Sequence, residues 1–139
     1  MKSVSAKFIK ELDRFTISDI GIPSLVLMEN AGRLCAEIII RRAKKYQWKN
    51  ILVFCGQGNN GGDGFVIARY LMHNGFTPMV LLMGKELALK EDARVNYQIY
   101  HRMGGSVIQQ ARLDNNLKKN IQNADCIIDA VFGVGLNRE

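Results

Sequence analysis

The sequence predicts an α/β fold: a Rossmann-like three-layer αβα sandwich with a mainly parallel sheet. Short apolar runs alternate with segments of helical periodicity along the 139 residues, the order that builds βαβ units with right-handed crossovers. The runs are apolar throughout rather than alternating, so helices are expected to cover both faces of the sheet. One of them, Ile51 to Cys55, passes directly into the glycine-rich turn GQGNNGGDGF at 56–65, which opens a helix.

The elements follow in order. A first helix is expected over Ser5 to Phe15. The stretch GIPSLVLMENAGRLCAEIIIRRAKKY, 21–46, reads as one long helix with Pro23 in its first turn. Leu27, Ala31, Leu34, Cys35 and Ile38 recur at helical spacing and predict its apolar face. Glu29, Arg33, Glu37 and Arg41, four apart, give alternating charge along one edge. The first strand is 51–55. The next helix ends near Asn74 with Gly75 as its stop. TPMVLLM, 77–83, is the second strand, and 89–105 is a helix closed by Gly104 and Gly105. SVIQ, 106–109, is a short third strand. Asp114 caps a short helix over 113–123, and ADCIIDAVFG, 124–133, is the fourth strand. A sheet of this kind normally continues past such a strand, so 1–139 is expected to be one domain incomplete at its C-terminal end, with the outer edge of the last strand uncovered.

Composition narrows the class. Hydrophobic residues make up 47% and charged residues 23% of the chain, ordinary values for a globular domain. No apolar run reaches the roughly 20 residues of a membrane span, and the N-terminus lacks a signal-peptide pattern. A cytoplasmic protein without a membrane role is expected. The net charge of +6 suits anionic small molecules. Nucleic acid is not expected, because the basic residues are scattered and no aromatic residues interleave with them. Cys35, Cys55 and Cys126 form no C-x-x-C pair and read as small core residues. His73 and His101 each fall in the last turn of a helix, where they complement the dipole.

Chemistry is expected at the carboxyl ends of the strands. Two glycine-containing turns lie there, GQGNNGGDG after the first strand and DAVFGVGLN after the fourth. Backbone N–H groups at glycines and at a helix N-terminus suit phosphate. Gly56, Gly58 and Gly61 match G-x-G-x-x-G, but Lys85 stands where a dinucleotide fold places its acidic ribose partner, with Glu86 after it. Asn59, Asn60 and Asp63 add amides and oxygens suited to hydroxyls, an amide or an alkali cation, or to satisfying the turn's own backbone. An NAD(P)-dependent dehydrogenase is disfavoured, for no histidine stands near a strand end.

LMENAG at 27–32, GNNGGDGF at 58–65, DARVNY at 92–97 and DAVFGVGL at 129–136 occur in the order found in the YjeF N-terminal domain family, which the chain resembles over nearly its whole length. The resemblance implies an NAD(P)H-hydrate epimerase, an isomerase of cofactor repair that interconverts the S and R forms of NADH and NADPH hydrated at C6 of the nicotinamide ring. It implies substrate binding by Asn59, Asn60, Gly61, Gly62 and Asp63, and by Gly133, Val134, Gly135, Leu136, Asn137, Arg138 and Glu139. It implies a potassium ion on Asn60 and Asp129, and a dehydratase partner, separate or fused. Further family binding positions, an aspartate and a serine or threonine, would lie beyond Glu139. The sequence leaves the oligomeric state open, with a homodimer among the assemblies it allows.

The reaction needs an acid for the leaving hydroxyl and a carboxylate for the cation that results. Lys85 is the candidate acid or phosphate contact and Asp129 the candidate electrostatic partner, with Asp63 as runner-up. An unpaired carboxylate at the end of an apolar strand is costly. Asp129 should therefore hold a cation or accept N–H bonds from Phe132 and Gly133. Asn30 is expected to line or support the site. The alternative function is a non-catalytic module that binds nucleotides, ADP-ribose or a protein.

Overall fold

The structure, a computed structural model, describes residues 5–109 and 112–133. Helix α1 is Ala6–Phe15, with the Ser5 hydroxyl accepting the Phe8 N–H at 3.2 Å. It widens into a π-helical turn, Thr16–Ile20, that the sequence did not signal, and ends at Gly21 with φ +87°. Helix α2, Ser24–Tyr46, starts one residue after Pro23, which is its cap rather than part of its first turn. Strand β1, Ile51–Cys55, leads into α3, Asn59–His73. Then come β2, Met79–Leu82, and a 3-10 turn, Glu86–Ala88. Helix α4 is Glu91–Arg102, β3 is Val107–Gln109, α5 is Asn115–Gln122 and β4 is Cys126–Ala130.

The strands form one parallel sheet in the order β3-β2-β1-β4. β2 is shorter than the apolar run because Pro78 has no N–H to give the ladder and Gly84, at φ +131°, turns the chain away. β4 stops at Ala130 because the Asp129 carboxylate captures the Val131 N–H at 3.0 Å. Expected ends hold elsewhere. Gly75 and Gly104 stop α3 and α4 at φ +84° and +89°, and Asp114 accepts the Leu117 N–H at 2.7 Å. His73 and His101 lie in the last turns of α3 and α4.

Helices α2, α3 and α4 share a core with one face of the sheet. Val53, Cys55, Val80 and Leu82 meet Ala36, Ile40, Phe65, Leu71 and Tyr100 there. The other face packs on α5 through Leu52, Leu81 and Leu117. Cover is nearly complete for β1 and β2, where only Phe54 and Met79 are partly exposed, but not for the edges: Ile108 on β3 and Ile127 on β4 stay 45% and 49% exposed. α2 also corrects the predicted stripe. Its buried face is Met28, Gly32, Ala36, Ile40 and Ala43, while Leu34, Cys35 and Ile38 point outward. Close approach decides this. A Cβ on Gly32 would lie 2.5 Å from Val66 Cγ1, so the face of small residues is the one that fits against α3. Cys35 is accordingly exposed, while Cys55 is buried and Cys126 half-buried.

α1 packs mainly on the turn that follows it. Its Phe8, Leu12 and Phe15 are each about half exposed. No helix among the described residues is long and apolar enough to cross a membrane.

Candidate active site

The ends of β1 and β4 converge. The Gly56 N–H donates to the Ala130 carbonyl at 2.9 Å, and a Cβ on Gly56 would fall 2.1 Å from the Val131 oxygen. A Cβ on Gly61 would fall 1.9 Å from the Gly56 oxygen, and one on Gly64 would meet Cys55 Sγ at 2.7 Å. These glycines let backbone pack on backbone within the turn. At Gly61 that close approach is to the protein's own carbonyl, which the sequence did not distinguish from approach to an anion. Gly58 caps α3 in an extended conformation without a side-chain hydrogen bond. The first N–H groups of a 15-residue helix thus open toward the strand ends with the positive end of its dipole.

The five residues Asn59 to Asp63 divide between two faces. Asn60 turns to the β4 end, where its Nδ2 donates to the Phe132 carbonyl at 3.0 Å. Gly133 comes so close that a Cβ there would lie 3.2 Å from Asn60 Cβ. Asn60, Phe132 and Gly133 therefore form one cluster just past Asp129. The Asp129 carboxylate accepts from Val131 rather than from Phe132 and Gly133. Asn59 and Asp63 turn outward and line a cavity of about 220 Å³ with Asp13, Ser24, Met28 and Asp92. It adjoins a groove along α4 lined by Lys90, Asp92 and Arg94. Burial in that cavity pushes the Asp63 carboxyl up to about 6, and Asp13 opposite adds to the rise. Gly62 is buried against Met28 and Ala93, so it spaces the helices.

Lys85 is exposed on the loop after β2. Its carbonyl accepts a hydrogen bond from Gln57 Nε2 at 3.1 Å. Asn30 is exposed and donates to the Val26 carbonyl at 3.0 Å on its own helix, which accounts for its side chain without the site. Glu29 instead ties the helix layer together, accepting from Arg69 and from Tyr70. Burial alone would raise its carboxyl, but those partners outweigh it and hold it low. Val134, Gly135, Leu136, Asn137, Arg138 and Glu139 lie outside the described residues. The sequence reading missed Asp13, Ser24 and Asp92 as lining groups, and Gln57 as the tie to the Lys85 loop. Asp92 carried a signal, since it opens the DARVNY run.

The oxygen donors at the β4 end suit a hard cation. Asn60 spends its NH₂ on Phe132, so its amide oxygen remains free, and Asp129 keeps a second carboxylate oxygen. No group of three His, Cys, Asp or Glu side chains among the described residues could hold a metal. The donors beside one another at this end, the Asn60 amide oxygen and the Asp129 carboxylate, are hard oxygens, the chemistry of potassium or calcium.

Residues 24–139 match the family model described as YjeF-related protein N-terminus. The chain is 41% identical over 138 residues to a bifunctional NAD(P)H-hydrate repair enzyme, Nnr, from Moorella thermoacetica, covering 97% of this chain and 26% of that protein. It is 34% identical over 136 residues to an NAD(P)H-hydrate epimerase from Weissella koreensis, covering 98% of this chain and 58% of that one. The fold aligns with the crystal structure of yeast YNL200c at a TM-score of 0.80 and 29% identity, over all of this chain and 60% of that one. The chain thus spans less than two thirds of each of these relatives.

Proposed function

The chain belongs to the YjeF-related N-terminal family, and from that premise we propose that the protein is an NAD(P)H-hydrate epimerase, an isomerase acting on the S and R hydrates of NADH and NADPH. The observation that carries this reading is the junction of the β1 and β4 ends through Asn60 and Phe132. It brings the N-terminus of α3, which suits a phosphate, to the end of the strand that carries Asp129. The phosphates would sit on the α3 N-terminus, and Lys85 suits a phosphate contact better than the acid role, because it is exposed on a separate loop.

Asp63 takes the acid role. A carboxyl raised to about 6 is partly protonated near neutrality and gives its proton to the leaving C6 hydroxyl as the C–O bond breaks. The ring nitrogen supplies electrons, and water is released. Water then adds to the other face of the ring and gives its surplus proton to solvent, from which the Asp63 carboxylate regains its own. Asp92 and Asp13 in the same cavity favour the cationic ring between the two steps. Gly133, packed on Asn60, would border the substrate from the β4 side. Potassium would be held by Asn60 and Asp129, and when bound it supplies a fixed positive charge at the junction of the two loops.

The bifunctional relative motivates a dehydratase partner, fused or separate, that consumes one epimer. Free thiols fit the cytoplasm. A second copy is the assembly favoured by the half-exposed Phe8, Leu12 and Phe15 of α1 and Leu34 and Ile38 of α2. With their apolar neighbours they offer roughly 500 Å² per copy, about 1,000 Å² for a pair, at the threshold for specific association.

The test follows the two hydrates by chromatography. Full-length protein should equalise them faster than they equilibrate spontaneously. An unchanged rate would leave the alternative, a binding module, in which ADP-ribose or a dinucleotide raises the Tm without turnover.

A further inference from the structure

The loop after β2 is fastened to the glycine-rich turn through one residue, Gln57. Its side-chain amide donates to the Lys85 carbonyl at 3.1 Å. Its own carbonyl accepts the Lys90 N–H at 2.9 Å, where α4 begins. Gly84 between β2 and Lys85 has φ +131°, and a Cβ there would come within 2.5 Å of Gln57 Nε2. Glycine at 84 is what allows the Gln57 side chain to lie across the loop. Both ends of the 84–90 loop are therefore set from residue 57, one position before the cap of α3.

We infer that Gln57 is a positioning residue that fixes Lys85 relative to the first turn of α3, so that the ammonium and the helix amides meet one anionic group of the substrate. This rests on the reading of Lys85 as a phosphate contact. The amide holds the Lys85 backbone, not its ammonium. Removing it leaves the charge in place but lets it spread over many positions, and the ordering lost must then be supplied on binding. The effect belongs in the KM of the phosphate-bearing substrate and in the affinity for ADP-ribose, not in kcat.

The experiment is a double-mutant cycle on the full-length protein, with ADP-ribose binding measured by calorimetry and hydrate epimerisation by chromatography. Lys85→Ala should weaken ADP-ribose about tenfold, the scale of a lost charge-assisted contact. Gln57→Ala should weaken it about fivefold, the scale of one hydrogen bond, with kcat unchanged. The double variant should be no weaker than Lys85→Ala alone, because Gln57 acts only through Lys85. Gln57→Met keeps the length without the donor and guards against a Gln57→Ala protein that fails to fold; it should match Gln57→Ala. Additive losses, a kcat effect, or wild-type affinity in Gln57→Met would overturn the coupling. Wild-type affinity in Lys85→Ala would instead show that Lys85 meets no phosphate, and the positioning role would fall with that reading.

Discussion

Asp63 is the residue whose environment departs furthest from what its neighbours in sequence announce. It stands in the opening turns of a helix, where a carboxylate usually gains from the dipole, yet burial and Asp13 push its carboxyl from 3.8 to about 6. The folded state thus holds the proton more tightly than the unfolded chain. Between pH 4 and 6 the folded protein binds more protons, so stability falls as pH rises through this window. Water at the open side of the cavity screens the effect, which we put at about 1 kcal/mol. Asp63→Asn should be more stable than wild type above pH 6 and flatter in Tm from pH 4 to 6, and calorimetric scans across that range check it. The same substitution removes the acid and should abolish the accelerated epimerisation. The sequence named Asp63 as a member of a binding run, because the motif is contiguous. It could not show that Asn60 bonds to the β4 end while Asp63 lines a cavity with Asp13 and Asp92, since that depends on where α1 and α4 come to rest.

At the scale of the element, α2 shows why periodicity reads a helix but not its buried face. Two stripes on it have helical spacing. One is large and apolar, Leu34 and Ile38 among others; the other is built on Gly32, Ala36 and Ala43. Ranking by hydrophobicity selects the first, while close contact with α3 selects the second, because only small residues allow it. Ala36 is fully buried, so Ala36→Leu should overpack the α2–α3 contact and cost about 1–3 kcal/mol in urea unfolding. Leu34→Ala should leave the stability of the monomer within about 0.5 kcal/mol. The strands were legible for the opposite reason. Ile51 to Cys55 is buried nearly throughout, so an unbroken apolar run and its position agree. Their ends were less so, because Asp129 takes the Val131 N–H out of the ladder through a side chain.

For the whole molecule, alternation of elements was enough to give the parallel sheet, but not the order of its strands, since the crossover rule sets the hand of each connection and not its neighbour. Two crossovers run one way from β1 and one returns to its other side, which leaves a crevice beyond β1 and β4. What alternation does not give is the outer surface of the helix layer. α1 makes little contact with the body, and its apolar side and that of α2 remain open to solvent. Leu34→Glu with Ile38→Glu should convert the proposed dimer to monomer in light scattering while leaving the unfolding transition in place. A wild-type mass of one chain would instead show that the face does not serve a second copy.

The three thiols carry a consequence of the layering. Cys35 faces solvent and Cys126 is half-covered, while Cys55 has no exposed surface and its burial pushes the thiol well above the usual range. An alkylating reagent therefore meets them in sequence. Cys35 is modified on mixing and Cys126 more slowly, whereas Cys55 waits for the strand end to separate from Gly64, which packs on its sulfur, and from Ala130, its partner on β4. Mass spectrometry of the third adduct would time, molecule by molecule, how often the centre of this sheet opens.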